Sequence, residues 1–167
     1  MEKVIEKFYL ENPSMERKKD VIEYMNEHVK YNSAINGTGS FDHVLEGETY
    51  EECMDRYYKI QDNEYAKSID RCPGKTYFLI RKNDNKLIGM INIRHHLTPK
   101  MLVHGGHIGY GIRPTERRKG YNKINLYLGL LKALEEFNLD KVMLDCDVKN
   151  LGSDKTIQAL GGVLERT

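Results

Sequence analysis

The sequence predicts one mixed α/β domain over residues 1–167, in which an antiparallel sheet is followed by a parallel pair of strands. Three observations support this fold class. Two strand-like runs flank a polar turn in the middle of the chain, a long amphipathic helix lies downstream, and another apolar run follows that helix. Because no internal repeat, low-complexity tract or Pro/Gly-rich linker divides the chain, a single core is expected.

The chain is expected to begin with a short extended stretch and a helix. Residues 8–10 are extended in this interpretation, and Ser14 is suited to cap a helix whose apolar residues recur at helical spacing to about Lys30. Residues 32–47 contain several glycines and show no sustained period. They predict an exposed loop.

A second helix and a β-hairpin follow. Thr49 begins a capping-box pattern, which predicts a helix to roughly Lys67. Residues 76–80 and 87–93 are rich in β-branched and aromatic side chains, and the polar residues 83–85 between them favour a turn. These two strands are expected to pair as a hairpin.

The last part of the chain predicts a strand, a helix, a strand and a short helix. Residues 107–113 form the first strand, which Pro114 ends because proline has no amide donor. Apolar residues spaced by three or four predict a helix over 121–138, and residues 141–146 predict a buried strand. This order requires a right-handed crossover and parallel pairing. A short helix over 153–160 completes the domain.

Composition and charge narrow the class of protein. No apolar run approaches the ~18 residues that cross a bilayer, and the amino terminus does not resemble a secretory signal, so a cytoplasmic protein without a membrane partner is expected. Cys53, Cys72 and Cys146 are far apart, which fits reduced thiols and neither a disulfide framework nor a metal pair. The net charge of +1 argues against a domain that holds a nucleic-acid backbone.

The basic residues concentrate around one glycine. Five cations fall within eleven residues around Gly120, namely Arg113, Arg117, Arg118, Lys119 and Lys123. The first turn of a helix has amides without intrahelical partners and a partial positive charge, so it attracts anions. Gly120 would let a phosphate approach the backbone closely. The turn at residues 117–122 therefore predicts a binding site for the phosphates of a nucleotide-like cofactor, preferably a diphosphate.

The features around this turn resemble the GNAT family, the Gcn5-related N-acetyltransferases. In chain order they are the strand ending Gly109-Tyr110-Gly111-Ile112-Arg113-Pro114, the Arg117-x-x-Gly120 turn, the strand ending at Cys146-Asp147, the helix start at Asn150 to Ser153, and Gly161-Gly162. The resemblance covers about Thr76 to Val163. The family's acetyl-CoA signature, Q/R-x-x-G-x-G/A, is matched at Arg117 and Gly120, whereas Asn122 departs from it.

The resemblance implies a GNAT-like acyl-CoA N-acyltransferase fold with acetyl-CoA as cofactor. The backbone amides of 118–122 would hold the pyrophosphate, and pantetheine would lie between two splayed parallel strands. The residues expected to contact the cofactor are Ile112, Arg113, Arg117, Arg118, Lys119, Gly120, Tyr121, Asn122, Asn150 and Ser153.

The implied reaction is direct acetyl transfer to the primary amine of a small molecule or peptide. His107 is favoured as the base because its ordinary pKa lies near neutrality, and His95, His96 and His104 are rivals. Asp145 is a further catalytic candidate. The family's usual acid is a tyrosine, but Ile157 stands at the matching position, so either Tyr110 or water would supply the proton. Cys146 fits a core residue better than an acetyl-cysteine intermediate.

Two other functions stay open from the sequence. One is a catalytically inactive CoA-binding regulatory domain, and the other, which the charge disfavours, is a nucleic-acid-binding module. GNAT domains usually continue through two strands after the position of Gly161-Gly162, whereas only residues 163–167 follow here. The resulting exposed sheet edge would favour a homodimer. The acceptor is not readable from the residues between about Val21 and Lys67.

Overall fold

The computed structural model describes residues 2–167 and contains seven α-helices and four β-strands. The helices are α1 Glu2–Ile5, α2 Lys18–Lys30, α3 Tyr50–Lys59, α4 Asn63–Ser68, α5 Pro99–Val103, α6 Tyr121–Phe137 and α7 Leu151–Ala159. The strands are β1 Phe8–Glu11, β2 Gly74–Arg81, β3 Lys86–Arg94 and β4 Ile108–Ile112. Short 3-10 helices lie at Met15–Arg17, Phe41–Glu46 and Pro114–Glu116.

The four strands form one antiparallel sheet in the order β1-β2-β3-β4. Strands β2 and β3 make the predicted hairpin, and Tyr77 lies opposite Ile91 in its register. Almost every residue of these two central strands is buried, because helices cover both faces of the sheet. Strands β1 and β4 are the edges.

Two helical layers enclose the sheet. On one face α2 and α3 pack on the sheet, where Tyr24 joins a buried cluster with Phe78 and Met90. On the other face α6 packs through residues that meet Tyr77 and Ile91. Successive side chains of a strand point to opposite faces, so the neighbours Tyr77 and Phe78 belong to different clusters. The chain therefore builds one sheet with a core on each side.

Several predicted elements are confirmed. Helix α2 ends at Lys30, α6 spans Tyr121–Phe137, and the hydroxyl of Thr49 accepts a bond from the Glu52 amide at 3.1 Å. The helix expected to run from Thr49 to Lys67 is instead two helices, α3 and α4. The break has a local cause, because the carboxylate of Asp62 accepts from the Tyr65 amide at 2.9 Å and so caps a new helix.

The predicted strand over 141–146 is wrong, and with it the parallel pair. The segment forms only an isolated bridge between Leu144 and Gly106, and the sheet of residues 2–167 is antiparallel throughout. The amide of Met143 is bonded to the Nδ1 atom of the His107 side chain at 2.9 Å, and the amide of Gly105 is bonded to a carboxylate oxygen of Asp145 at 2.9 Å. Side-chain bonds thus replace the ladder that a strand would need.

The segments outside the sheet also differ from expectation. The loop at 32–47 is partly buried and contains the 3-10 helix Phe41–Glu46, and the short helix α5 was not predicted. Residues 163–167 adopt no regular secondary structure. None of the helices between residues 2 and 167 has the length and apolarity that a membrane crossing requires.

Candidate active site

The site is built on the open edge of β4, which pairs with β3 on one side and with no strand on the other among the residues described. The amide of Arg113 donates to the Ile88 carbonyl at 2.9 Å. Because amide directions alternate along an antiparallel strand, the amide of every second residue before Arg113 also points toward β3. The amides of Tyr110 and Ile112 therefore face the open edge. Arg117 approaches from that side, where its Nε donates to the Ile112 carbonyl at 2.9 Å.

The turn that follows β4 presents unbonded amides to an open space. Arg118 and Gly120 have left-handed backbones with φ of 62° and 79°. Gly120 precedes α6 and no side chain caps this helix. A Cβ added to Gly120 would meet no atom within 4 Å. In the described part of the chain the amides of residues 118–120 donate no backbone hydrogen bond, and the first amides of a helix lack partners in general. Such a turn attracts anions.

The charges around the turn are only partly neutralised. Lys119 pairs with Glu116 at 3.0 Å. Glu116 is 6% exposed and also pairs with Arg81 at 2.8 Å. Arg117 and Arg118 are exposed, and neither makes an ion pair within 4.0 Å in the part of the chain that the structure covers. Two cations therefore remain available beside the amides.

Asn122, which breaks the signature, lies in the first turn of α6. It is half-buried, and its Oδ1 atom is buried without a hydrogen-bond partner in residues 2–167. An acceptor left in this state costs about 1 to 3 kcal/mol. The side-chain oxygen is thus turned into the protein. The neighbouring Tyr121 packs its ring on Phe8, with ring centroids 4.8 Å apart.

Arg113, which was expected to contact the cofactor, is buried and fully hydrogen-bonded within the protein. It is 3% exposed, and its guanidinium bonds Glu23 at 2.8 Å, Glu27 at 3.0 Å and the Leu87 carbonyl at 2.9 Å. Its amide and carbonyl are bonded as well, to Ile88 and to the amide of Glu116. Arg113 therefore ties α2 to the end of β4 and has no group free for a cofactor.

Tyr110 and Ser153 meet across the open edge. The Tyr110 hydroxyl lies 2.7 Å from the Ser153 Oγ, and either oxygen can donate. The side chain of Asn150 caps α7 by accepting from the Ser153 amide at 3.1 Å, which fixes Ser153 in place. Burial raises the pKa of Tyr110, and also that of the nearby Cys146. Tyr110 is accordingly a protonated hydroxyl at neutral pH, at the edge where the amides point.

His107 is bonded in a way that disfavours a role as base. Its Nδ1 accepts from the Met143 amide at 2.9 Å, which places the proton of the neutral ring on Nε2. Burial and the charge of Arg94 lower the pKa of His107. The ring is therefore neutral at pH 7, and its one basic nitrogen is already occupied.

The other candidate bases are hydrogen-bonded, stacked on a neighbouring ring or exposed on the surface. A carboxylate oxygen of Asp145 accepts from the Gly105 amide at 2.9 Å, and His104 beside it is largely exposed. His95 stacks on Phe137 with ring centroids 5.0 Å apart, and burial lowers its pKa. His96 is exposed on the surface. Asp145 thus anchors the loop before β4.

A polar cavity of about 430 Å³ lies next to the loop at 35–42. The loop rests directly on the strand, because a Cβ on Gly37 would come 2.5 Å from the Tyr110 Cα and one on Gly111 would come 3.0 Å from the Asn36 carbonyl. Asn92, Arg94 and residues of the loop line the cavity. The loop therefore packs on β4 with one side and lines this cavity with the other.

Sequence reasoning missed the cavity and its charged residues, Arg71 and Arg94. Neither arginine belongs to a motif, and they come together only through the fold. The alternating glycines Gly109 and Gly111 were the available signal, since two strand residues without side chains on one face permit another backbone to approach.

A mixed α/β unit with a turn of unbonded amides beside an open strand edge is the arrangement that the sequence resemblance led us to expect of an acyl-group transferase. The family model described as "Acetyltransferase (GNAT) domain" matches residues 41–163. The chain therefore belongs to the GNAT acetyltransferase family, and the enzyme class is acyltransferase. The resemblance seen in the sequence is confirmed.

Solved structures show the same fold at low identity. The ribosomal-protein-S5-alanine acetyltransferase from Vibrio fischeri has a TM-score of 0.66 at 17% identity, covering 95% of this chain and 81% of its own. The spermidine N-acetyltransferase from Vibrio cholerae has a TM-score of 0.60 at 17% identity, covering 96% and 82%. The microcin C7 self-immunity acetyltransferase, solved with acetyl-CoA and AMP, has 0.60 at 18%, covering 98% and 83%. A sequence search of curated proteins finds no match.

Proposed function

We propose that the protein is an acetyl-CoA-dependent N-acetyltransferase that moves the acetyl group directly to a primary amine of a small molecule or peptide. One observation carries this proposal: residues 118–120 present unbonded amides where α6 begins, next to the open edge of β4. Family membership supports it, as do the fold neighbours named above, one of which is a complex with acetyl-CoA.

The turn fits the pyrophosphate of acetyl-CoA. The amides of residues 118–122 are the donors, and Gly120 leaves open space in front of them. Arg117 and Arg118 add two unpaired charges, and charge-assisted bonds contribute about 1.5 to 3 kcal/mol each when well formed. Lys119 contributes less because Glu116 already pairs with it.

The open edge fits the amide-containing arm of the cofactor. The amides of Tyr110 and Ile112 would bond it in the manner of an added strand, and the residues at the start of α7, Asn150 and Ser153, would border it on the far side. This arrangement replaces the splayed parallel pair expected from the sequence, because the far side is a helix start and an irregular segment.

When bound, acetyl-CoA supplies a thioester whose carbonyl carbon is attacked by the amine. The chain then has to stabilise charge on the carbonyl oxygen and give a proton to the departing sulfur. An edge amide of β4 serves the first need. The Tyr110 hydroxyl serves the second, since it is protonated and hydrogen-bonded to the half-exposed Ser153, through which solvent can return the proton that Tyr110 gives up.

We propose that His107 and Asp145 position neighbouring backbone rather than remove a proton, because each already accepts a hydrogen bond from a backbone amide. We propose that the amine binds in its neutral form and that its proton passes to solvent through the polar cavity. Cytoplasmic location, a homodimer through a sheet edge and the lack of nucleic-acid and membrane partners remain predictions.

Calorimetric titration with acetyl-CoA tests the proposal, and a dissociation constant below about 1 mM is expected. A thiol-release assay with a panel of primary amines then separates an active enzyme from the alternative, a CoA-binding regulatory domain. Binding with turnover is the expected result. Binding without thiol release for every amine would favour the regulatory domain, and no binding at millimolar cofactor would end both.

A further inference from the structure

The polar cavity beside β4 contains two arginines that differ from the other inward-facing arginines of the chain. Among the arginines that are buried or half-buried, four pair with carboxylates: Arg17 with Glu11, Arg56 with Glu48, Arg81 with Glu116, and Arg113 with Glu27. Arg71 and Arg94 make no ion pair within 4.0 Å among residues 2–167. Both line the same cavity.

Arg94 is held by neutral groups. Its Nε donates to the Gly106 carbonyl at 2.8 Å, its Nη2 donates to the Gly105 carbonyl at 2.9 Å, and its Nη1 donates to the Asn92 Oδ1 at 3.3 Å. The guanidinium is thus fixed in orientation while its charge is not neutralised. Burial, together with the charge of Arg71, lowers the pKa of Arg94.

Arg71 is less constrained and more available. It is half-buried, and within residues 2–167 its guanidinium makes one hydrogen bond, from Nη1 to the hydroxyl of Ser40. Burial and the charge of Arg56 lower the pKa of Arg71, and Asp42 opposes that shift. Asp42 also lines the cavity, but its Oδ1 accepts from the Thr38 hydroxyl at 2.5 Å.

The charges of the cavity call for an anion. Two arginines against one aspartate leave a surplus of one positive charge, and His43, which also lines the cavity, lies 3.6 Å from Glu48 outside it. Charged groups that are partly removed from water without an opposite charge are costly, so a surplus of this kind in a cavity makes the cavity a candidate binding site for an anion. Solvent-exposed cations such as Lys67 carry no such cost.

The cavity also lies in the right place for an acceptor. Gly37 in its wall packs on the backbone of Tyr110. Arg94 is the last residue of β3, and its amide donates to the His107 carbonyl, just before β4, at 2.7 Å. An amine that reaches the open edge of β4 from this side would keep the rest of its molecule in the cavity.

We propose that the acceptor amine carries an anionic group, a carboxylate or a phosphate monoester, which Arg71 binds in this cavity while Arg94 adds a fixed positive charge. The proposal rests on the proposed acetyltransferase function. It adds a substrate class, because neutral amines and polyamines would lack the group that the two arginines recognise.

Non-reacting product mimics test the proposal without turnover. With CoA present, the probes are N-acetylglycine against N-acetylglycinamide, and N-acetylethanolamine phosphate against N-acetylethanolamine. In one of the two pairs we expect the anionic probe to bind about tenfold or more tightly than its neutral partner. The pair that shows this preference tells whether the site recognises a carboxylate or a phosphate. The preference should be lost in Arg71→Gln and kept in Lys67→Gln, which removes one exposed charge from α4.

Two further measurements keep the outcomes distinct. A titration with CoA alone tests the proposed function, and thermal unfolding shows whether each variant is folded. If Arg71→Gln is unfolded, Arg71→Lys replaces it. Arg71→Lys should still weaken the binding of anionic probes because lysine lacks the planar fork of the guanidinium. Equal binding of anionic and neutral probes to a protein that binds CoA, or no binding of any anionic probe at millimolar concentration, would overturn the substrate class alone. So would a preference that survives in Arg71→Gln or is equally lost in Lys67→Gln.

Discussion

Substitution of Gly120 separates the backbone requirement of the turn from its role in binding phosphate. Gly120 has φ of 79°, and alanine in this left-handed region costs roughly 1 kcal/mol. For a domain of this size that cost lowers the melting temperature by about 2 to 4 °C. The added Cβ meets no protein atom within 4 Å, so it projects into the space that the pyrophosphate would fill.

Gly47 provides a matched control. It has φ of 94°, and a Cβ added there also meets nothing within 4 Å. Gly47 ends the 3-10 helix Phe41–Glu46, far along the chain from the turn. Gly47→Ala should therefore carry a similar loss of stability without touching the cofactor site.

The assay is calorimetric titration of both variants and the unchanged protein with CoA, alongside thermal unfolding. Displacing one charge-assisted amide bond of about 1.5 to 3 kcal/mol weakens binding roughly 10- to 150-fold in Gly120→Ala. Gly47→Ala should bind CoA as the unchanged protein does. Equal CoA affinity in the two variants would refute the placement of the pyrophosphate at this turn.

Three other predictions follow from the same geometry. Tyr110→Phe should lower kcat about 10²-fold while CoA affinity stays unchanged, because only the proton donor is lost; an unaltered kcat across the alkaline range would remove Tyr110 from the chemistry. Asn122→Ala should raise the free energy of unfolding by about 1 kcal/mol or more, since it removes a buried unpaired oxygen and suits a helix better, and urea titration measures this. Burial raises the pKa of Glu27, but hydrogen bonds from Arg113 and Thr115 outweigh burial and lower this pKa below 4.5. The ionised Glu27 therefore stabilises the fold above pH 4.5, and this stabilisation is lost as the pH falls through the lowered pKa. The stability gap between the unchanged protein and Glu27→Gln should therefore shrink below pH 4.5 in acid unfolding, and a gap that stays constant would contradict the pairing.

Local signals in the sequence predicted most of the fold. The cap at Thr49, the hairpin and the long helix after Gly120 depend on periodicity and on capping chemistry that neighbouring residues determine, and the structure contains them. The strand over 141–146 was wrong because its apolar pattern could not show that His107 and Asp145 bond to this region and to the loop at Gly105.

The candidate site divides in the same way. The turn at 117–120 was readable because its glycine and cations are contiguous in the chain. The sequence also suggested Arg113 as part of the turn's cationic cluster. Its role is instead structural, because it pairs with Glu27, a residue far away in sequence. The arginines of the cavity, Arg71 and Arg94, are brought together by tertiary contacts that no local pattern contains.

The contact between Gly37 and the backbone of β4 has a thermodynamic consequence. The main chain of β4 at Tyr110 packs on the loop at 35–42, while the Tyr110 side chain reaches Ser153 beside the proposed cofactor arm. The backbone of β4 and the loop packed on it therefore separate the proposed cofactor arm from the polar cavity. A ligand that stiffens the strand from one side also changes the free energy of binding on the other, and linkage requires the two effects to be equal. Binding of the acceptor should therefore change the affinity for CoA, and binding of CoA should change the affinity for the acceptor by the same factor, even without acetyl transfer.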